Sequence, residues 1–185
     1  MRRLLLAAVL AALASPTVRA ADLLEQQAVI GDCIMAAAHV HRVPPAILVI
    51  LLNVEGGSLG RVSANTNRTV DIGPMQVNQI WLPAIAAHWH AAIPETYAAL
   101  RDNFCANVEA GAWILRQGLD EAHGDFWEGV GYYHSHDPDY KRIYLRAVLR
   151  QALRLRALSD HTERGTGTSD RPAAIVTDQR HGSGW

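Results

Sequence analysis

The sequence predicts an all-α fold in a single domain, and three observations lead there. Sustained alternation of apolar and polar residues, the mark of a half-buried strand, is missing, whereas apolar residues recur at helical spacing. Pro44-Pro45 and Gly56-Gly57 bracket an apolar run as a helix start and a helix stop. The chain of 185 residues is 49% hydrophobic and 19% charged, which suits one domain with a sizeable core rather than a disordered chain.

The elements follow in order. Asp22 caps a first helix running to about His41, with Leu23, Ala28 or Gln27, Ile30, Ile34 and Ala37 or Ala38 at helical spacing. Pro44-Pro45 opens the second, since proline is tolerated in the first turn of a helix. Its body, Ala46 to Leu52, is apolar on every side and belongs in the centre of the fold. A polar loop rich in Gly, Ser, Asn and Thr follows from Gly57 to Asp71. Further helices are expected over Asn78–Trp89, Pro94–Arg101, Cys105–Ala122, Phe126–His134 and Asp139 to about Leu158. From Ser159 the chain turns Gly/Ser/Thr/Asp-rich and reads as a flexible tail, residues 159–185.

The first twenty residues read differently. Arg2 and Arg3 precede an apolar run, Leu4 to Ala14, and Val18 and Ala20 fit a small-residue cleavage site after Ala20. This is the pattern of a cleavable signal peptide over residues 1–20, and it predicts export to the periplasm of a domain spanning residues 21–158. The run is too short for the roughly 20 apolar residues of a membrane span, so no stable span is expected in the mature chain. Loss of Arg2, Arg3 and Arg19 would leave 14 basic and 18 acidic groups, a net of -4 against -1 for the whole chain. That balance points away from nucleic acid. In an oxidising compartment Cys33 and Cys105 are expected to pair, the alternative being two buried thiols.

One residue stands out. Glu55 follows an almost unbroken apolar helix, and burial of a carboxylate disfavours its charged form and raises its pKa. A carboxyl so tuned is fit to act as a general acid near neutral pH; the alternative is a solvated glutamate at a helix end. Downstream lies Asp71-Ile72-Gly73-Pro74-Met75-Gln76-Val77-Asn78, a tight turn followed by amides able to grip a sugar. Trp81, Trp89, Trp113, Trp127, Tyr132 and Tyr133 add ring surface, most of it expected in the core.

Glu55, then Asn65-Thr66-Asn67, Asp71–Asn78, Cys105–Leu115 and Tyr132–Ser135, in this order, resemble the lysozyme-like lytic transglycosylases. The likeness is to the goose-type, SLT-domain fold and to small exported members tied to conjugation, type IV secretion and related envelope machines, and it covers about Cys33 to Val148. The resemblance implies cleavage of peptidoglycan between N-acetylmuramic acid and N-acetylglucosamine. Glu55 would act as acid and then as base, closing a 1,6-anhydro ring without water. Met75 and Gln76 would line the groove beside the scissile bond, with Asn78 offering its amide. Tyr133, followed by His134, would orient the glutamate or the substrate's acetamido group. No cofactor is implied, and the partners implied are glycan strands and a secretion or conjugation apparatus. The chain departs from the family at Gly56, where serine is usual, at Pro74 for leucine and at His134 for asparagine.

Other readings compete. Asp71 as a second carboxylate would make the protein a water-using muramidase, although a turn or cap aspartate explains it more simply. A non-catalytic peptidoglycan-binding component is a further alternative, supported by Gly56 alone. The pairs His39/His41, His88/His90 and His134/His136 invite a metal. Residues two apart on a helix face nearly opposite sides, so the first two pairs cannot chelate, and only His134/His136, at a helix end, could turn towards one ion. The expectation is no metal.

Overall fold

Residues 16–166, the part of the chain that the computed structural model describes, form seven α-helices and a small antiparallel sheet. The order is α1 (Pro16–His41), α2 (Pro45–Glu55), β1 (Val62–Ala64), β2 (Val70–Ile72), β3 (Val77–Asn78), a 3-10 turn (Gln79–Trp81), α3 (Leu82–Trp89), α4 (Ile93–Asp102), α5 (Phe104–Glu121), α6 (Phe126–Tyr132) and α7 (Pro138–Thr166). The chain is thus mostly helical, as its sequence predicts, with one sheet that the sequence does not announce. Most of the expected signal peptide and residues 167–185 of the expected tail lie outside the described residues.

The helix boundaries have local causes. Pro45 occupies the first turn of α2, and Gly56 ends it in the left-handed conformation, φ 60°, its N–H bonded to the Leu52 carbonyl. Glycine bears no Cβ penalty there. The side chains of Asn103 and Asp125 cap α5 and α6 by accepting from Ala106 N–H and Glu128 N–H. The last helix runs on to Thr166 instead of stopping near Leu158, so the start of the expected flexible tail is helical.

The segment 57–71, expected as a loop, supplies two of the three strands. Val62 pairs with Ile72, Ser63 with Asp71 and Ala64 with Val70, and β3 adds Asp71 opposite Asn78 and Ile72 opposite Val77. Strands of two or three residues are too short to show an alternating pattern.

α5 forms the spine, with α1, α4 and α6 packed against it and Val108, Ala110, Ala112 and Leu115 fully buried. α2 lies among α1, α5 and α7, burying Ile47, Leu48 and Leu51. Each such leucine contributes about 1.5–3 kcal/mol on removal from water. A disulfide, Cys33–Cys105, joins α1 to α5 and closes a loop of 72 residues. In the chain-entropy account this is worth about 4 kcal/mol. Among the described residues no single helix is long and apolar enough to cross a membrane.

Candidate active site

The sheet, the end of α2 and the loop between α6 and α7 enclose a cleft of about 820 Å³. Glu55 stands on its wall because α2 ends there, and Asp71, Gln76, Asn78, Trp81 and His134 line it too. Burial raises the Glu55 pKa from 4.5 to about 7; a hydrogen bond from Tyr144 opposes the rise, and the negative charge of Asp71 adds to it. The Tyr144 hydroxyl, on α7, donates to Glu55 Oε1 at 2.6 Å, and the phenol's own pKa is pushed up, chiefly by burial. The ring of His134 stacks on Tyr144, centroids 4.6 Å apart, and partial burial lowers the imidazole pKa. The result is a carboxyl that holds its proton near neutrality and is gripped on one oxygen.

Asp71 is neither a turn nor a cap residue. It sits in β2 and accepts from Asn78 Nδ2 at 2.7 Å across the β2–β3 pair. Asn78 also donates to Thr69 Oγ1 at 2.9 Å and caps the 3-10 turn by accepting from Ile80 N–H. Its amide is therefore committed to holding the strand and its carboxylate. Gln76, with φ 46°, lines the cleft while donating to the Gly73 carbonyl at 2.8 Å.

Two expected roles change. Met75 does not line the cleft: it is fully buried, its side chain beside Gly111 and its N–H held at 2.7 Å by Asn107 Oδ1. Tyr133 lines the cleft, yet its hydroxyl donates to the Met75 carbonyl at 2.9 Å; the tyrosine that meets the glutamate is Tyr144. Tyr133 thus secures the Gly73–Gln76 turn. Asn107 secures it from below, its amide nitrogen donating to the Ile72 and Leu100 carbonyls at 2.9 Å each. Glycine is required on both flanks. A Cβ on Gly57 would lie 2.0 Å from the Gly73 carbonyl oxygen, and one on Gly73 would lie 2.3 Å from that of Leu100.

Sequence reasoning missed Tyr144 and Asn107. The amide set between Ala106 and Val108 is the sequence signal for Asn107; Tyr144 has none beyond its helical spacing from Tyr140. His134 and His136 do not converge: the first stacks on Tyr144, while the second bonds Glu121 Oε1 at 3.0 Å and stacks on Tyr132. Neither a family model nor a curated protein sequence matches the chain.

Proposed function

We propose that this protein is a lysozyme-like lytic transglycosylase that cuts the β-1,4 bond between N-acetylmuramic acid and N-acetylglucosamine in peptidoglycan. The observation that carries the reading is Glu55, which lines the cleft with its pKa raised to about 7 by burial. A general acid is most effective when its pKa lies near the working pH. The cleft walls bear amides, hydroxyls and the rings of Trp81 and Tyr132, the surface chemistry that a polar glycan needs.

In this reading protonated Glu55 delivers its proton to the leaving glycosidic oxygen as the bond to the anomeric carbon breaks. The substrate's acetamido oxygen closes on that carbon from the other side. The Glu55 carboxylate then takes the proton of the sugar's 6-hydroxyl, whose oxygen displaces the acetamido oxygen and closes the 1,6-anhydro ring. Glu55 ends protonated as it began, and no water is consumed. Tyr144, donating to Oε1, orients the carboxyl and leaves the second oxygen to carry the proton. No cofactor takes part.

The water-using muramidase is the second reading, favoured by Asp71, which lines the same cleft and acts electrostatically on Glu55. Gly56, the sole sequence support of the non-catalytic alternative, also serves as a left-handed helix cap. The biological setting of the proposal is the periplasm, with the wall opened locally for a conjugation or secretion apparatus. The test is release of soluble fragments from isolated peptidoglycan: the wild-type protein should release them and Glu55→Gln should not. Equal release by both would overturn the assignment.

A further inference from the structure

Away from the cleft, three side chains from three helices meet. His41, the last residue of α1, has Nε2 2.6 Å from Glu109 Oε1. His88, in the last turn of α3, has Nε2 3.3 Å from the same oxygen. The other oxygen, Oε2, accepts from the Trp89 indole N–H at 2.6 Å. All three ligand-capable atoms fall within 4.8 Å of one another. His41 is 7% exposed, whereas His88 and Glu109 are 35% and 28% exposed, so the cluster is closed on one side and open to water on the other.

We propose that His41, His88 and Glu109 form a binding site for a divalent transition metal, zinc being the best match. Two imidazoles and a carboxylate, with a fourth position left to water, are a donor set that zinc accepts in tetrahedral geometry. Zinc bonds of about 2.0–2.2 Å place neighbouring ligand atoms roughly 3.3–3.5 Å apart. The His88 pair stands at that separation already, and the His41 pair must open by less than about an ångström. The Trp89 indole plays the part of the outer partner that orients a ligating carboxylate. The frame is set independently of any ion: the Cys33–Cys105 bridge fixes α1 against α5 one helical turn before Glu109. Trp113 stacks on His88, centroids 4.9 Å apart, and meets Trp81 edge-on. The metal would therefore clip α1, α3 and α5 together behind the wall of the cleft to which Trp81 belongs. It takes no part in the bond cleavage proposed above.

The test is titration of the purified, chelator-treated protein with cobalt(II) and then zinc at neutral pH, read by visible d–d absorption and by thermal melting. One cobalt per chain should give a tetrahedral band that zinc displaces, and zinc should raise Tm. His88→Ala and Glu109→Gln should abolish both signals while melting cooperatively without metal. Trp89→Phe should weaken binding by about 10–100-fold, the usual effect of losing an outer partner. His39→Ala should change nothing. The proposal is overturned if no tetrahedral band forms. It is equally overturned if the band and the Tm rise persist in His88→Ala, or if they vanish only in His39→Ala.

Discussion

Replacing Glu55 by glutamine should make the protein more stable, and increasingly so as pH rises. The carboxyl has a pKa near 7 in the folded state against 4.5 in an exposed chain, because burial beside Asp71 penalises its charge. A group whose folded pKa is raised adds stability that is fully present below the unfolded value and is lost as pH rises through the folded one. The window is therefore pH 4.5 to about 7. At about 1.4 kcal/mol per pKa unit, the wild-type protein loses about 3 kcal/mol across it from this one group. Glutamine does not titrate, keeps a carbonyl to accept from Tyr144, and removes the loss. The gap between variant and wild type should thus widen by about 3 kcal/mol from acid to neutral pH, or roughly 6–12 °C in Tm for a chain of this size. Urea unfolding followed by tryptophan fluorescence, at both ends of the window, measures it. A gap that stays constant with pH, or a variant destabilised at neutral pH, would show that Glu55 is not held protonated by burial.

Tyr144→Phe removes the hydrogen bond that holds the Glu55 pKa down, so the alkaline limb of the cleavage rate should move to higher pH; a move to lower pH would contradict the geometry. Asn107→Ala strands one backbone N–H and two carbonyls in the core, at about 1–3 kcal/mol each, and should lower Tm sharply with loss of cleavage as the Met75 turn shifts. Gly56→Ser puts a Cβ and a hydroxyl on the residue that ends α2. With φ at 60° but open space around its Cβ, it should cost about 1–2 kcal/mol in denaturant unfolding, and a gain in stability would contradict the cap assignment.

Much of the fold was legible because its signals are local. The proline start, apolar body and glycine stop of α2 mark the helix, and the same three features leave Glu55 at the edge of the core. The sheet was illegible because its strands are two or three residues long and lie in a segment composed like a loop. Met75 was misplaced for a different reason. Its burial is decided by Asn107 and Gly111, on a helix far along the chain, and nothing in Gly73-Pro74-Met75-Gln76 records their presence. The histidines fail in the same way. Spacing rules judge two residues on one helix, whereas His41, His88 and Glu109 come together from three. Tyr144 likewise reaches Glu55 only because α7 folds back on α2. Helices, caps and a buried charge can be read along the chain, and convergence of side chains between helices cannot.

If Glu55 alone moves both protons, the sugar's own hydroxyl, not water, ends the reaction. Mass spectrometry of the fragments released from purified peptidoglycan tests it most directly, with Glu55→Gln run in parallel. The wild-type protein should give muramic acid ends lighter by one water, in the 1,6-anhydro form, and the variant none. Reducing muramic ends from the wild-type protein would contradict it and hand the second carboxylate role to Asp71.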